Sequence, residues 1–246
     1  MGNLSPEQEI SGLRQLWKLA FGDTDAFLDG FFGTAFSFDR CRWIEADHRI
    51  VAALYWFDCR FRGEKLAYLY AVATHPDYRG RGLCRKLMAD TRSHLQNLGY
   101  GGILLVPQEE GLRKMYAAMG YADATKVSEF SCEAGTAVSL QPVDAQTYGT
   151  LRRRFLPEGG VIQEGENLRF LASYASFYAG EDFLLAASGS DGIELLGNRE
   201  RAPGILAALG REEGNFRTPG GDKPFAMFLA LRDGFAPPKY FGFAFD

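Results

Sequence analysis

The segment from Tyr70 to Met88 holds the residues best suited to bind a charged ligand. At its centre, the run Arg79-Gly80-Arg81-Gly82 forms a turn between an apolar stretch and a pattern of helical spacing. Residues without a Cβ let a phosphate approach the backbone, and a helix N-terminus offers unpaired N–H groups and a partial positive charge. Because the two arginines add cationic donors, the spacing predicts a cradle for a nucleotide-type diphosphate.

The same turn could also have a purely structural role or belong to a different phosphate-binding pattern. The two glycines could serve only a tight turn whose arginines are solvated. A P-loop requires Gly-x-x-x-x-Gly-Lys-Ser/Thr, which this chain lacks. A dinucleotide-binding fingerprint that began at Gly80 would need its third glycine at position 85, where the chain has Arg85. Both of these phosphate-binding patterns therefore fit poorly.

The turn resembles the pyrophosphate motif of the Gcn5-related N-acetyltransferases, Arg/Gln-x-x-Gly-x-Gly/Ala. Arg79 and Gly82 match its first and fourth positions, whereas Cys84 replaces the small residue at the sixth. Because cysteine is itself small, we expect tighter packing of the following helix rather than loss of binding. The lead-in Val72–Tyr78 and the later segment Met115–Tyr121 are similar to the family's flanking signatures. Together these pieces cover about the first half of the chain.

The resemblance implies a site for acetyl-CoA, used as a cosubstrate, and no metal. In the family, the strand that ends near Ala73 splays from the strand at Ile103–Val106, and the pantetheine arm lies in the opening. There it bonds the backbone of the first strand as an added strand would, and one N–H group would stabilise the oxyanion at the thioester. The residues expected to bind the cofactor are Ala71, Val72, Ala73, Arg79, Gly80, Arg81, Gly82, Leu83 and Cys84.

Tyr116 matches the tyrosine that the family places near the cofactor sulfur, within the segment Met115–Tyr121. A phenol with a reference pKa of about 10 can protonate a thiolate with a reference value of about 8.5 at a small free-energy cost. The resemblance therefore implies that Tyr116 is the general acid when an amine attacks the thioester directly. The alternative is an amphipathic core tyrosine on a helix.

The sequence does not identify the general base. Many relatives place a carboxylate on the strand before the motif, but Leu66–Val72 contains no acidic residue. The candidates are Glu45, Glu64, His75 and the terminal carboxylate after Asp246, each acting directly or through water. The histidine precedes a proline and suits a turn better than a catalytic role.

The elements around these residues follow an α/β (α+β) order. Helical spacing predicts helices over 6–20, after Ser5 as N-cap, and over 23–32, with Asp23 and Thr24 as candidate caps. Strand-like runs follow over 42–45, 50–61 and 66–73. A helix over 83–98, a buried strand over 103–106 and a helix over 110–119 come next. Strand, helix and strand in this order imply a parallel pair with a right-handed crossover, as in the mixed sheet flanked by helices that the resemblance implies.

A change in residue composition near residue 135 predicts a boundary between two domains, with acetyl-CoA bound by residues 1–134. Residues 135–246 are expected to form a smaller, degenerate domain of related GNAT-like topology that covers the acceptor cleft. The patterns there predict helices over 145–155, 167–178 and 202–209 and strands over 183–187, 193–196, 225–231 and 240–245. Asp191 and Gly192 suit a hairpin turn. Because this half lacks a pyrophosphate motif, we assign it no cofactor.

Within the family, the lead-in Val72–Pro76 and Pro107 look most like the enhanced intracellular survival branch. Members of that branch carry a second acetyltransferase-like domain and a further C-terminal domain. This chain has room for the second domain but not for the third.

Composition excludes several classes of protein and partner. A formal net charge of -4 predicts no long-range attraction of nucleic acid. The polar N-terminus lacks a signal peptide and no stretch is long enough to span a bilayer, so we expect a cytoplasmic protein without a membrane partner. Four cysteines without a Cys-x-x-Cys pair and three histidines make a zinc site unexpected. The sequence does not distinguish a monomer from a homo-oligomer.

The sequence thus predicts an enzyme, an acetyl-CoA-dependent N-acetyltransferase whose acceptor is a primary amine on a small molecule or peptide. A non-catalytic acyl-CoA-binding sensor or interaction module is the first rival, favoured by the missing base and by Cys84. A dinucleotide-dependent oxidoreductase is the second, and Arg85 argues against it.

Overall fold

The computed structural model describes residues 5–245, which form two seven-stranded sheets and the helices that pack on them. The first half of the chain supplies the helices α1 (Pro6–Phe21), α2 (Asp25–Thr34), α3 (Leu83–Asn97) and α4 (Glu110–Ala117) and the strands β1 (Cys41–Ala46), β2 (Arg49–Phe61), β3 (Glu64–Thr74), β4 (Gly102–Leu105), β5 (Ala122–Asp123) and β6 (Lys126–Glu133). The second half supplies the helices α5 (Ala145–Phe155), α6 (Glu166–Leu171) and α7 (Ala202–Ala208) and the strands β7 (Gln141–Val143), β8 (Ile162–Gln163), β9 (Ser176–Ala179), β10 (Phe183–Ser188), β11 (Asp191–Gly197), β12 (Glu213–Pro219), β13 (Lys223–Pro224) and β14 (Met227–Ala230).

The first sheet has the strand order β1-β2-β3-β4-β14-β5, with β8 paired to β2. Its first three strands are antiparallel, and α3 connects β3 to the parallel strand β4, as the sequence predicts. Pairing between β3 and β4 stops at Tyr68 and Leu104, although β3 continues to Thr74. The two strands therefore part over the second half of β3 and leave an opening there.

The second sheet has the strand order β13-β6-β12-β11-β10-β9-β7. Its strands β9, β10 and β11 are antiparallel, and α7 connects β11 to the parallel strand β12. The second half thus repeats the order of the first in a reduced form, since α7 has 7 residues and α3 has 15. This confirms the expected mixed sheet of related, smaller topology.

Strands cross between the two halves in both directions, and the first sheet contains two strands from the second half, β14 and the short β8. β14, from the second half, pairs with β4 and β5 in the first sheet. β6, from the first half, pairs with β12 and β13 in the second sheet. One hydrophobic core also joins side chains of both halves, including Leu13, Phe57, Phe170 and Phe243. A division at residue 135 stays a prediction, and it would concern two units that share strands and core.

The connection between α1 and α2 follows the capping signals of the sequence. Gly22 ends α1 in a left-handed conformation with φ of 76°, which glycine adopts without strain. The Thr24 side chain then caps α2 by accepting the N–H of Phe27. Asp23, between these two residues, is therefore not needed as a cap.

Among residues 5–245, no helix combines the length and the apolar character that crossing a bilayer requires.

Two local predictions for the second half are wrong. The helix expected over 167–178 ends at Leu171, because the next residues turn into β9, which pairs with β10 and buries Phe177. The hairpin turn expected at Asp191 and Gly192 lies two residues earlier, and those two residues begin β11 instead. In both places strand pairing with β10 decides the structure over the local signal.

The segment 240–245 also differs from its prediction. Alternating residue types predict a strand with one buried face, but all of these residues are buried. The segment has no regular strand, and its bridge joins Tyr240 to Gly160. The sequence also gives no assignment for Glu213–Pro219, which forms β12, an interior strand of the second sheet. Burial alternates along β12, but its glycine, asparagine and proline give little strand signal by residue type.

Candidate functional site

A cavity of about 300 Å³ lies where β3 and β4 part. Its walls come from both halves of the chain and are largely aromatic and aliphatic. The residues around it include Trp17, Asp23, Phe27, Tyr68, Ala71, Val72, Val106, Tyr116 and Phe245. The cavity therefore coincides with the opening that the resemblance predicts between the two strands.

β3 is irregular where it borders this cavity. Ala73 pairs with Ala53 and Tyr70 pairs with Tyr55, so an extra residue of β3 forms a β-bulge at this point. Ala71 has a φ of 48°, a left-handed conformation that costs a residue with a Cβ about 1–3 kcal/mol. The bulge takes the backbone of this residue out of regular pairing at the edge of the cavity.

The turn after β3 has the open form that a phosphate requires. Gly80 and Gly82 have φ of 74° and 76°, and a Cβ added at either position meets no atom within 4 Å. Gly82 is also the N-cap of α3, and no side chain of the described residues caps this helix end. The first N–H groups of the helix therefore lack an intrahelical partner and are available to an anion.

The arginines of the turn are exposed and fold back onto it. Arg79 Nε donates to the carbonyl oxygen of Thr74 at 3.3 Å. Arg81 donates to the carbonyl oxygen of Asp77 at 2.9 Å, and its guanidinium lies 4.7 Å from the centroid of the Tyr78 ring. Because each guanidinium has five N–H donors, these contacts orient the side chains and leave donors for a ligand.

Leu83, Cys84 and Tyr116 belong to one apolar cluster, in which α3 and α4 pack against the first sheet. The first two residues begin α3 and pack against the apolar cluster in which Tyr116 is buried. Burial raises the pKa of Cys84, and burial together with the nearby cysteine raises the pKa of Tyr116. The phenol therefore stays protonated through the neutral pH range, where it can donate a proton but cannot accept one.

The structure brings part of the predicted set into one cavity. Ala71 and Val72 line the cavity with Tyr116, whereas Ala73 pairs with β2 and does not line it. The residues Arg79–Cys84 form the turn and the helix start at the end of the same strand. β3 thus connects the cavity, which Tyr116 lines from α4, to the proposed phosphate turn.

None of the described candidates for the general base lines this cavity. Glu45 lies on β1, and Glu64, at the start of β3, pairs with Arg232 at 3.1 Å. His75 borders a separate cavity beside α1. Asp246 lies outside the described residues.

Asp23 is the carboxylate that sequence reasoning misses, because its position in the chain indicates only a helix cap. Its Oδ2 accepts a hydrogen bond from Trp17 Nε1 at 2.7 Å, which orients the carboxylate. It is the one Asp or Glu among the residues that line the cavity. No spacing signals this position, since it depends on how α1 and α2 pack across β3.

Within residues 5–245, no group of three His, Cys, Asp or Glu side chains is arranged to hold a metal ion.

Known proteins resemble this chain in sequence over its first half and in fold over most of its length. The profile of the acetyltransferase (GNAT) domain matches residues 4–124. A GCN5-related N-acetyltransferase from Kribbella flavida has 17% identity and a TM-score of 0.69, over 92% of this chain and 71% of its own. A GCN5-related N-acetyltransferase from Anabaena variabilis has 14% identity and a TM-score of 0.68, over 94% of this chain and 72% of its own. Eis1 from Mycobacterium abscessus has 12% identity and a TM-score of 0.66, over 92% of this chain and 72% of its own. No curated protein sequence matches the chain significantly. At these identities the likeness to the solved structures extends to the fold alone.

Proposed function

Since residues 4–124 belong to the acetyltransferase (GNAT) family, we propose that the protein transfers the acetyl group of acetyl-CoA directly to a primary amine. The observation that carries this proposal is the continuity of the site along β3. The strand leads from the bulge at Ala71, in the cavity, to the open turn Gly80–Gly82 at the start of α3. A long ligand with an acyl group at one end and a diphosphate nearer the other requires these two features in succession.

The residues of the turn and the bulge fit such a ligand. Gly80 and Gly82 present backbone without side chains, and Arg79 and Arg81 supply charge-assisted donors to the diphosphate. The backbone near Ala71 would bond an amide-bearing arm as an added strand does. One of its N–H groups would stabilise the negative charge that develops on the thioester oxygen.

Direct transfer needs a neutral amine and a proton for the departing sulfur. The amine nitrogen bonds to the thioester carbonyl carbon, the carbon–sulfur bond breaks, and its electron pair stays on sulfur. Tyr116 gives its phenolic proton to that sulfur. Burial raises the pKa of Tyr116 and so weakens it as an acid, but the same apolar surroundings would also raise the proton affinity of the departing thiolate, and it is this matched shift that would let the proton move to sulfur.

We assign to Asp23 the roles of binding the amine and of accepting its proton. Its carboxylate attracts a protonated amine and can accept the proton that the nitrogen must lose, directly or through water. The hydrogen bond from Trp17 holds the carboxylate in place. The aromatic rings of Phe27 and Phe245 would cover the carbon next to the amine and exclude water, so the second half of the chain helps to shape the acceptor side.

The test is release of free thiol from acetyl-CoA in the presence of a panel of small-molecule and peptide amines, with mass spectrometry to identify the acetylated product. Asp23→Asn should lower kcat/KM for the amine about tenfold and leave acetyl-CoA binding unchanged. Asp25→Asn, at an exposed carboxylate on α2 that does not line the cavity, is the matched control. Binding of acetyl-CoA without turnover of any amine would instead identify an acyl-CoA sensor.

A further inference from the structure

The segment Tyr240–Phe245 runs from the second half of the chain into the wall of the cavity. Phe245 lines the cavity, and its ring centroid lies 4.5 Å from that of Phe57 and 5.8 Å from that of Tyr70. Its backbone pairs with a neighbouring segment at Tyr240, through the bridge to Gly160. Beyond that bridge, side chains of other elements hold the segment.

Gln163 takes the place of a strand partner for this segment. Its Nε2 donates to the carbonyl oxygen of Phe243 at 3.0 Å, and its Oε1 accepts the N–H of the same residue at 3.0 Å. Gln163 is fully buried on β8, which pairs with β2 through Cys59. One amide group therefore satisfies both backbone groups of Phe243 and ties the segment to the sheet that forms the cavity.

A buried charge cluster contacts the segment closer to its start. Glu194, on β11, forms two hydrogen bonds with Arg152, at 2.7 and 2.8 Å, and accepts the hydroxyl of Tyr240 at 2.9 Å. A Cβ added at Gly242 would lie 1.6 Å from Glu194 Oε1, so the backbone passes directly against this cluster. The segment is thus fixed at several points just before Phe245.

We propose that Gln163 is a positioning residue for acetyl transfer, because its hold on the backbone of Phe243 sets the place of the Phe245 ring in the cavity wall. The inference rests on the proposed function and gives the second half of the chain a definite part in it. Only Ala244 separates the held backbone of Phe243 from Phe245, so a backbone shift at Phe243 also moves the ring. A misplacement of about 1 Å in a reaction site can cost about 100-fold in rate.

The first experiment compares Gln163→Leu with Gln146→Leu, which makes the same change at an exposed position of α5. We expect Gln163→Leu to lower kcat/KM for the amine about tenfold and to leave the Kd of acetyl-CoA unchanged, since the turn Gly80–Gly82 is remote from the change. Wild-type kinetics in Gln163→Leu would overturn the proposal. Parallel loss of acetyl-CoA binding would also overturn it, by showing a general structural role.

Hydrogen exchange separates this inference from the proposed function. The peptide that covers residues 240–245 should exchange faster in Gln163→Leu than in wild type or Gln146→Leu, whatever amine the protein accepts. Unchanged exchange would overturn the positioning role. A wild-type protein that turns over no amine would overturn the proposed function while leaving the exchange result intact.

A double-mutant cycle tests whether Gln163 acts through Phe245. If it does, Gln163→Leu should lower kcat/KM in the wild-type background and have little further effect in a Phe245→Leu background. If the two effects multiply, the proposal is wrong.

Gln163→Glu offers a readout that an unspecific loss of packing would not give. A protonated carboxyl can accept the N–H of Phe243 and donate to its carbonyl oxygen, as the amide does, whereas an ionised carboxylate cannot donate. The rate of Q163E relative to wild type should therefore be highest at low pH and fall as the introduced group ionises. A constant ratio across pH, with the fold retained, would contradict the proposal.

Discussion

The turn between β3 and α3 and the turn between β11 and α7 occupy matching places in the two sheets, but their surfaces differ. In the first, Gly80 and Gly82 are left-handed and have open space above them. In the second, a single turn of 3-10 helix, Arg199–Arg201, leads directly into α7; the Asn198 side chain caps that turn by accepting the N–H of Glu200 at 3.1 Å, and Pro203 lies in the first turn of α7. The same order of elements is thus built with and without an open glycine turn before the helix, and the turn residues decide which.

The arginines of the two turns differ in the same way. Arg201 pairs with Asp182 at 3.0 Å, and Arg199 lies 3.6 Å from the carboxylate of Glu200. Arg79 and Arg81 bond backbone carbonyls, and in the part of the chain that the structure describes no carboxylate lies within 4.0 Å of either. Positive charge is therefore left for a ligand in the first turn and neutralised in the second.

The strand after each crossover also leads to different structures. β4 is followed by α4, which carries Tyr116, whereas β12 is separated from β13 by the turn 220–222. The second half therefore has no counterpart of the proposed acid. What it contributes to the cavity is Phe245, held in place by buried side chains.

The largest expected effect concerns the proposed acid. Tyr116→Phe should lower kcat by about 100-fold or more, since general acid catalysis contributes about 10²- to 10⁴-fold, and should leave acetyl-CoA binding within about twofold. Steady-state kinetics and calorimetric titration measure the two quantities. Tyr121→Phe is the control, because it removes a buried hydroxyl that has no hydrogen-bond partner in residues 5–245 and should preserve activity. Equal rates in Tyr116→Phe and wild type would reject the acid role.

A comparable effect, on stability, is expected in the second half. Glu194→Gln would leave the Arg152 guanidinium buried without its counter-charge and should lower the free energy of unfolding by about 3–5 kcal/mol. Urea denaturation of this variant and of Glu212→Gln, at an exposed position, gives the difference. A loss as small as that of the exposed control would contradict the anchoring role of the cluster.

A smaller effect, on acetyl-CoA binding, should distinguish the arginines of the first turn from those of the second. Replacing both Arg79 and Arg81 by alanine should weaken acetyl-CoA binding about tenfold, and the loss should shrink at high salt. Replacing both Arg199 and Arg201 by alanine should not change it. Titrations at low and high ionic strength provide the measurement, and equal losses in the two double variants would remove the distinction between the turns.

The smallest effect is expected at Cys84, where the chain departs from the family motif. Cys84→Ala restores the residue type of the motif, and because the side chain is only partly buried we expect acetyl-CoA affinity to change by less than about threefold. A large gain in affinity would show instead that the cysteine has weakened the site.

The parts of this structure that the sequence predicts are those with local causes. Ser5, Thr24, Gly80 and Gly82 act through the backbone next to them, so the starts of α1 and α2 and the open turn follow from residue type. The strand–helix–strand crossover also follows from order alone. The motif segments carry enough of this local information to place the candidate site on β3 and α3.

The parts that the sequence does not predict depend on distant contacts. An alanine gives no sign that it will adopt the left-handed conformation of Ala71, and nothing near Asp23 shows that it will face a cavity. β6 and β14 each join the sheet of the other half, but their residue patterns are those of ordinary strands and do not indicate which sheet they join. In the segment 240–245, the side chain of Gln163 replaces the expected strand partner.

The most direct test of the central claim is calorimetric titration of acetyl-CoA into wild type, Gly82→Trp and Gly210→Trp. Gly82 and Gly210 have φ of 76° and 66° with no atom within 4 Å of an added Cβ, so the two variants impose similar backbone strain at the matching crossovers of the two sheets. We predict that wild type and Gly210→Trp bind acetyl-CoA and that folded Gly82→Trp does not. Undiminished binding by Gly82→Trp, or no binding by wild type, would contradict the assignment of this turn as the acetyl-CoA site.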